Sequence, residues 1–397
     1  MSSLSNAGVG LMSSFIYLDH AATSWPKPVA VQEAMMKSLE EAAANPGRGS
    51  HSMAVEASRV LFKTRMILAQ LFRVSNPNDI VFTSNTTMAL NLAIKGILKT
   101  GDYVIATMVE HNSVRRPLEY LKRTLGIHVK YIDVNAQGEL NMDDYKIALM
   151  AHRPKLVVCN HSSNLLGSIL PASEIGRLAH QYGAYFLLDA AQTAGCIDLD
   201  VSAMNVDLLA FPGHKGLLGP QGTGGLYIAP ELDLEPLLHG GTGSQSEERE
   251  QPIVRPDRYE AGTPNTVGIA GLQAGVQRVL ELTPAVIYER EWRMTQLLME
   301  GLNDVEGLRL LGPHRGNPRT GIVSFVVNDQ DSSQIAFKLD REYDIAVRAG
   351  LHCTPLAHEA MNTLHTGAVR ASVGVDTTEK DIAAMVKAMH EICPHKM

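Results

Sequence analysis

The sequence has little of several features that would decide its class at once. Its 397 residues contain four cysteines, far apart and without a Cys-x-x-Cys pair, so neither a zinc cluster nor a disulfide framework is expected. No apolar run approaches the ~18 residues of a membrane helix. The net charge of -7 leaves no excess of basic residues for a nucleic-acid-binding stripe. The first residues lack the basic segment and cleavage pattern of a secretory signal, so we predict a soluble cytoplasmic protein.

Several familiar catalytic motifs are missing or incomplete. The glycine-rich run Pro212–Gly225 is not closed by Gly-Lys-Ser or Gly-Lys-Thr, and it does not match the dinucleotide-binding fingerprint. His358-Glu359 begins like the helix of a zinc protease, but Asn362 stands where the second histidine ligand is required. No Gly-x-Ser-x-Gly elbow occurs. We therefore predict no metal site and disfavour metal-dependent and serine hydrolases.

The pattern after residue 80 predicts an α/β fold. Strands are predicted at Ile80–Thr83, Tyr103–Thr107, Val129–Val134, Leu156–Asn160, Ala184–Asp189, Asp207–Phe211 and Gly225–Ala229, with helices that include Thr86–Leu98, Val114–Leu125 and Ser173–Tyr182. Near-continuous apolar strands separated by helices indicate a mostly parallel sheet covered on both faces. In such sheets, ligands bind beyond the carboxyl ends of the strands.

The length exceeds what one hydrophobic core usually supports, so a second domain is expected. After Gly262 the pattern changes to that of a smaller α+β unit. Strands are predicted at Leu308–Leu311, Gly321–Val327, Ile345–Arg348 and Ala368–Val373, and the last helix at Thr378–Ile392. We predict an N-terminal tail at 1–16, a large domain at 17–262 whose N-terminal arm packs with the small domain, and a small C-terminal domain at 263–397.

A carboxylate and a lysine follow two of the predicted strands. Asp189 ends a buried strand, and Lys215 lies between glycines shortly after the next one. A lone aspartate is more often a helix cap, and a lone lysine is usually a surface group. The flanking glycines, however, indicate a tight turn that aims Lys215 inward. An imine-forming lysine and a carboxylate for a pyridinium nitrogen are what pyridoxal phosphate (PLP) requires, and Gln192 would reach the phenolic oxygen of the ring.

Two further sites are compatible with this cofactor. The segment Ser84–Thr87 lies between a strand and a helix, where free N–H groups and hydroxyls converge and could bind a phosphate. A plain N-cap explains the segment equally well. His111 follows the Tyr103–Thr107 strand and could stack on the cofactor ring, although such a residue is often simply a polar strand end.

Four segments taken in order resemble the class V aminotransferase family and, within it, the cysteine desulfurases. They are Asp189-x-x-Gln192, Gly213-His214-Lys215, Tyr259–Thr266 and Arg348–Cys353, and the similarity runs from Tyr17 to the final helix. The resemblance implies the PLP-dependent type I fold, with a mostly parallel seven-stranded sheet in the large domain, a PLP cofactor and a homodimer.

The resemblance also implies a role for each matching residue. Lys215 would bind the cofactor and move the substrate α-proton. The other cofactor contacts would be Asp189 to the pyridine nitrogen, Gln192 to the phenolic oxygen, His111 on the ring, Thr86, Thr87 and His214 to the phosphate, and Thr263 to the phosphate of the other subunit. Asn164 and Arg370 would hold the substrate carboxylate, with His51 and Arg348 also on the substrate side. Pro212 and Leu351 depart from the residues frequent in the family.

Cys353 decides between activities. It lies in a compact loop beside Arg348 and His352, whose positive charge would favour a nucleophilic thiolate. Cys159 and Cys196 are expected to be small buried hydrophobes. The implied reaction converts L-cysteine to L-alanine and leaves a persulfide on Cys353 for a thiol or sulfur-carrier protein.

Three alternatives stay open. The same residues would remove selenium from L-selenocysteine, where Cys353 is less necessary. A PLP transaminase or epimerase of the same fold needs no thiol, so Cys353 counts against it. A scaffold that only binds a sulfur-carrier partner would not need Lys215 or Asp189.

Overall fold

The computed structural model describes residues 15–47 and 49–393. Most of the predicted tail therefore lies outside the described residues. Within them, the strands are β1 Ile16–Tyr17, β2 Ile80–Thr83, β3 Tyr103–Thr107, β4 His128–Ile132, β5 Leu156–Asn160, β6 Tyr185–Asp189, β7 Leu208–Pro212, β8 Gly224–Ile228, β9 Leu308–Leu311, β10 Ile322–Val327, β11 Ile345–Ala346, β12 Arg348–Gly350 and β13 Ala368–Ser372.

The described helices connect and cover these strands. They are α1 Val29–Glu41, α2 Ser52–Phe72, α3 Thr86–Ile97, α4 Asn112–Leu125, α5 Met142–His152, α6 Ala172–Gln181, α7 Thr266–Leu282, α8 Pro284–Leu302, α9 Ser332–Tyr343, α10 Pro355–Ala360 and α11 Glu379–Ile392. The predicted strands and helices are confirmed with small shifts at their ends. The predicted strand Ile345–Arg348 is wrong as a single element, because Val347 separates β11 from β12, which join different sheets.

Seven strands form the large sheet in the order β2-β8-β7-β6-β5-β3-β4. Strand β8 is antiparallel to both of its neighbours, and the other pairs are parallel. The mostly parallel seven-stranded sheet is therefore confirmed. Six strands point the same way, so their carboxyl ends meet at one edge, where the α/β architecture places its ligands.

Two smaller sheets involve the C-terminal part of the chain. Strands β12-β13-β10-β9 form an antiparallel sheet, and β1 pairs in parallel with β11. Strand β1 is thereby attached to the C-terminal unit, and Leu18 is fully buried in the same hydrophobic cluster as Phe325 and Met389. The assignment of this segment to an N-terminal arm of the large domain stays a prediction.

The hydrophobic residues form two separate buried clusters, one for each main sheet. The larger cluster contains Phe72, Phe186 and Phe211. Helix α7 lies beyond residue 262, yet its Leu272 and Val276 belong to this larger cluster. The division of the chain at residue 262 stays a prediction.

No helix in the described ranges is long and apolar enough to cross a membrane.

Candidate active site

Five of the predicted site residues lie where strands of the large sheet end. Asp189 is the last residue of β6, and Lys215 follows β7 in a short turn. Asn164 and His111 follow β5 and β3, and Thr86 opens the helix after β2. The common direction of these strands brings their carboxyl ends to one edge of the sheet, although they are far apart in the sequence.

The electrostatic environment of this edge is set by Asp189 and Lys215. Strands β6 and β7 are neighbours, with Asp189 opposite Ala210. The Asp189 carboxylate is 2% exposed and accepts a 2.9 Å hydrogen bond from the Ala191 N–H. Burial raises the pKa of Asp189 to about 6, while the Lys215 ammonium acts in the opposite direction. Burial, then the Arg370 guanidinium, lowers the pKa of Lys215 to about 8, which makes the amine more available as a nucleophile and base.

The turn that carries Lys215 requires glycine at its first position. A Cβ atom on Gly213 would lie 2.0 Å from the Thr223 hydroxyl oxygen. The next residue, His214, is held through its carbonyl oxygen, which accepts hydrogen bonds from Thr23 (3.0 Å) and Lys27 (2.7 Å). Its ring atom Nδ1 is buried and has no hydrogen-bond partner. Burial lowers the pKa of His214 to about 4, so the ring is neutral near pH 7.

A chain of hydroxyls links helix α3 to His111. The Asn85 side chain caps α3 by accepting from the Met88 N–H at 2.9 Å. Thr87 Oγ1 lies 2.7 Å from Ser113 Oγ, which lies 2.9 Å from His111 Nδ1. Burial lowers the pKa of His111 to about 4, so it presents a neutral ring able to stack on an aromatic ligand. The amide groups of a first helical turn have no partner within the helix and suit an anion.

Arg370 has one guanidinium N–H without a partner in the described residues. Its Nη1 donates to the Asn164 carbonyl oxygen at 2.9 Å, and its Nη2 donates to Asp19 at 3.0 Å. Its Nε is buried and has no hydrogen-bond partner. The side-chain oxygen of Asn164 is likewise buried and has no partner. Arg348 lies directly opposite Arg370 across the β12–β13 pair. Arg370 Nε and the second N–H of Asn164 Nδ2 can both donate to the carboxylate of an amino acid, whereas Asn164 Oδ1 can only accept.

The segment that contains Cys353 is held against the same edge of the large sheet. The Cys353 carbonyl oxygen accepts from the Asn112 N–H at 2.8 Å, and the His352 carbonyl oxygen accepts from Asn164 Nδ2 at 2.7 Å. The Thr354 hydroxyl donates to the Glu110 carbonyl oxygen at 3.2 Å. His352 and Cys353 both have positive φ angles, 49° and 58°, which side-chain-bearing residues seldom adopt. This backbone leaves the Cys353 thiol exposed.

The expected charge of His352 is wrong. Its ring is 5% exposed, and Nε2 lies 3.0 Å from the Ala368 carbonyl oxygen. Burial, followed by the Arg370 charge, lowers the pKa of His352 to about 3, so the ring is neutral near pH 7. Of the two basic neighbours expected for Cys353, only Arg348 carries a charge.

Three predicted site residues make contacts within a single chain that differ from the roles predicted for them. His51 is exposed and caps α2, with Nδ1 accepting from the Ala54 N–H at 3.4 Å. Thr263 is exposed and lines a pocket of about 420 Å³ together with Gly47 and Glu260. Gln192 Nε2 donates to the Ala21 carbonyl oxygen at 3.2 Å, and Gln192 lines a small cavity with Lys215.

Two charged residues at this site were missed by the sequence reasoning. Asp19 orients Arg370, and it stands in the Tyr17–Thr23 segment that resembles the family. Glu110 is fully buried, and its Oε1 accepts from the Thr107 hydroxyl at 2.6 Å and from the Asn160 N–H at 3.0 Å. It joins the ends of β3 and β5, and burial raises its pKa to about 8. A single glutamate after a strand gives no sequence signal for that role.

The residues present fit pyridoxal phosphate. The site holds an amine, a buried carboxylate, a neutral imidazole and a helix N-terminus at one sheet edge, with an unpartnered His214 Nδ1 beside them. Within the described residues, no group of three or more histidine, cysteine, aspartate or glutamate side chains could hold a metal ion. An amine able to form an imine and a carboxylate for the pyridinium nitrogen are the protein groups that this cofactor requires.

The chain belongs to the class V aminotransferase family. The profile described as "Aminotransferase class-V" matches residues 16–385. A "Probable cysteine desulfurase" of Methanothermobacter thermautotrophicus is 35% identical over 393 residues, covering 97% of this chain and 96% of the relative. The corresponding protein of Synechocystis is 34% identical and covers 94% of this chain and 90% of the relative.

Solved structures agree with the sequence relatives. An apo cysteine desulfurase from Thermococcus onnurineus superposes with a TM-score of 0.90 at 34% identity, covering 96% of this chain and 94% of that one. The Escherichia coli cysteine desulfurase CsdA, in an S-sulfonic acid form, has a TM-score of 0.85 at 27% identity and 96% coverage of both chains.

Proposed function

We propose that this protein is a PLP-dependent cysteine desulfurase, which converts L-cysteine to L-alanine and carries the sulfur as a persulfide on Cys353. The observation that carries the proposal is the exposed thiol of Cys353, whose segment is hydrogen-bonded to Asn112 and Asn164 at the edge where Lys215 and Asp189 lie. The similarity to proteins named cysteine desulfurase supports it.

Each cofactor contact follows from a side chain described above. Lys215 would hold PLP covalently, Asp189 would pair with the ring nitrogen, Gln192 would contact the phenolic oxygen and His111 would stack on the ring. The phosphate would bind at Thr86, Thr87 and His214. When bound, PLP withdraws electrons from the substrate and makes its Cα–H bond acidic.

The remaining steps are carried out by side chains of the chain itself. Arg370 Nε and the second N–H of Asn164 Nδ2, the first being bonded to the His352 carbonyl oxygen, donate to the substrate carboxylate and thereby orient the Cα–H bond. Lys215 Nζ, once unprotonated, accepts the α-proton. Cys353 Sγ then attacks the substrate sulfur. An S–S bond forms, and the Cβ–S bond breaks with its electron pair left on Cβ, while the outer sulfur of the Cys353 persulfide retains or loses the former thiol proton to water. Protonation of Cβ, followed by return of a proton from the Lys215 ammonium to Cα, yields alanine.

The assay that tests this function measures two products. Purified protein with PLP and L-cysteine should release alanine and, with dithiothreitol as the thiol acceptor, sulfide in equal amount. A transaminase would instead give a keto acid without sulfide, and a scaffold would give no turnover. A parallel assay with L-selenocysteine separates a desulfurase from a selenocysteine lyase. Absence of sulfide from cysteine would contradict the proposal.

We also propose a homodimer in the cytoplasm. Exposed apolar side chains lie on α1, on α2 and in the irregular segment between β8 and α7, including Met36 (56% exposed), Phe62 (53%) and Ile253 (80%). Phe62 also lines the pocket of Thr263, the residue proposed to reach the partner's phosphate. All four cysteines are unpaired, which suits a reducing compartment.

Dimerisation should therefore be linked to cofactor retention. We expect Phe62→Asp to weaken the dimer and to increase loss of PLP on dilution by about tenfold, because a site completed across subunits binds its ligand only when assembled. Light scattering and absorbance of the same sample measure both effects. Phe337→Asp is the matched control, because Phe337 is 64% exposed but lies on α9. A monomer that holds PLP as tightly as the unmodified protein would contradict the prediction.

A further inference from the structure

The turn after β5 is held by donors from the C-terminal part of the chain. Four consecutive carbonyl oxygens accept hydrogen bonds: Asn164 from Arg370 Nη1 (2.9 Å), Leu165 from Ser324 Oγ (2.5 Å), Leu166 from Arg319 Nη2 (3.1 Å) and Gly167 from both the N–H (3.0 Å) and the hydroxyl (3.4 Å) of Thr320. Connecting turns usually leave such carbonyl oxygens to water. Here the whole 164–167 turn is bound to β10, to β13 and to the residues before β10.

The 164–167 turn is also closed on itself. The Gly167 N–H donates to the Ser163 carbonyl oxygen at 2.9 Å, and the Ser163 hydroxyl accepts from the Leu166 N–H at 3.1 Å. Gly167 has a φ of 71°, and a Cβ atom there would lie 2.9 Å from the Ile322 carbonyl oxygen. A turn this tightly packed moves as one body, so whatever sets its position also sets the position of Asn164.

Arg319 is the unusual member of this set. Its side chain is 0% exposed, and no ion pair joins it to a carboxylate in the described part of the chain. Its Nε donates to the Ile322 carbonyl oxygen (3.0 Å) and its Nη1 to the Pro313 carbonyl oxygen (3.0 Å). Burial of an unpaired cation is unfavourable, and arginine is rarely fully buried. An apolar residue would fill the same space without that cost, but it would not join three backbone segments.

The 164–167 turn connects Arg319 to the candidate site. Asn164 uses its side-chain Nδ2 to hold the His352 carbonyl oxygen at 2.7 Å, next to Cys353. Its side-chain Oδ1 has no hydrogen-bond partner and its carbonyl oxygen binds Arg370. The position of the turn thus affects both the amide proposed to meet the substrate carboxylate and the segment that presents the thiol.

We infer that Arg319 is a positioning residue: by bonding Leu166, Pro313 and Ile322 together, it fixes the 164–167 turn and, through Asn164, the Cys353 segment. The expected effect on KM and kcat for cysteine rests on the proposed function. The expected effect on the position of the 164–167 turn and the Cys353 segment does not. Arg319 touches neither substrate nor cofactor in this scheme.

The test compares Arg319→Met with the unmodified full-length protein. Met keeps an unbranched side chain but removes every donor. We expect the visible band of bound PLP to persist, and KM for cysteine to rise by about tenfold with a smaller fall in kcat, because small misplacements of positioning groups are costly. Without PLP, we expect about tenfold faster hydrogen exchange in residues 163–168 and 351–354 and a changed alkylation rate of Cys353 with iodoacetamide.

Arg255→Met is the matched control. Arg255 also binds several backbone carbonyl oxygens, those of Ile228, Ala229 and Leu232, but it lies away from the 164–167 turn. Its loss should lower the unfolding temperature without faster exchange in the two segments. Exchange and Cys353 alkylation in Arg319→Met that equal those of the unmodified protein would overturn the inference.

Two further variants keep the inference testable if Arg319→Met does not fold. Arg319→Lys retains the charge but cannot reach all three segments, and Ser324→Ala removes only the hydrogen bond to Leu165. Both should speed exchange at 163–168 and 351–354, by less than Arg319→Met. Hydrogen exchange that is unchanged in both variants would overturn the inference. If the unmodified protein released no sulfide, the proposed function would fail, while exchange and alkylation would still report on Arg319.

Discussion

Lys215→Ala is expected to abolish turnover and the visible absorption of bound PLP while the protein stays folded. The Lys215 amine is the only group proposed to form a covalent bond with the cofactor. It also moves the α-proton, a role that contributes on the order of 10²–10⁴ in rate. The surrounding turn is held by the Gly213 N–H, which bonds the Thr223 carbonyl oxygen at 2.8 Å, and by the His214 carbonyl oxygen. Because these are backbone contacts, loss of the Lys215 side chain should leave them in place.

An absorbance scan, an alanine assay and thermal unfolding measure the three parts of this prediction. Lys27→Ala is a matched control, because burial also lowers the pKa of Lys27 to about 8 and its Nζ bonds the carbonyl oxygen of His214. That variant should keep the visible band. A Lys215→Ala protein that retained both the band and alanine release would remove Lys215 from its proposed role.

The large sheet could be predicted because its information is local. Strands such as β5 and β6 are mostly apolar runs, fully buried or nearly so, and each ends in a polar residue, Asn160 or Asp189. Asp189 and Lys215 could be placed together for the same reason, since parallel strands share one carboxyl edge. The pattern gave no strong signal for α1 and α2. Both expose apolar side chains, for example Met36 and Phe62, which blurs a helical period.

Other features of the site depend on contacts between distant parts of the chain. The Asp19–Arg370 ion pair joins residues 351 positions apart, and no spacing rule indicates it. The charge state of His352 depends on its burial beneath the C-terminal sheet, which composition cannot show. The resemblance to a family supplied Arg370, which local pattern could not, but it did not indicate Asp19, and the charge expected for His352 from its position beside Cys353 is wrong.

Cys353→Ser is expected to separate the two halves of the proposed reaction. Serine has nearly the same size, and Cys353 is exposed, so we expect the substitution to leave the fold intact. Substrate binding at Arg370 and proton removal by Lys215 need no thiol, so the PLP band should persist and still change when cysteine is added. The serine hydroxyl stays protonated and is a far weaker nucleophile, so alanine formation should fall by a factor on the order of 10³ or more.

Mass spectrometry then decides whether Cys353 carries the sulfur. The unmodified protein treated with cysteine should gain one sulfur on the peptide that contains Cys353, and Cys353→Ser should gain none. Cys159→Ser, Cys196→Ser and Cys393→Ser are the controls: these thiols are buried, so each change costs stability by about 1–3 kcal/mol where the hydroxyl finds no partner, but the persulfide on Cys353 should still form. Desulfuration of cysteine by Cys353→Ser at the unmodified rate would refute the mechanism. Loss of cysteine turnover with retained selenocysteine turnover would instead identify a selenocysteine lyase, because selenium leaves carbon without help from a thiol.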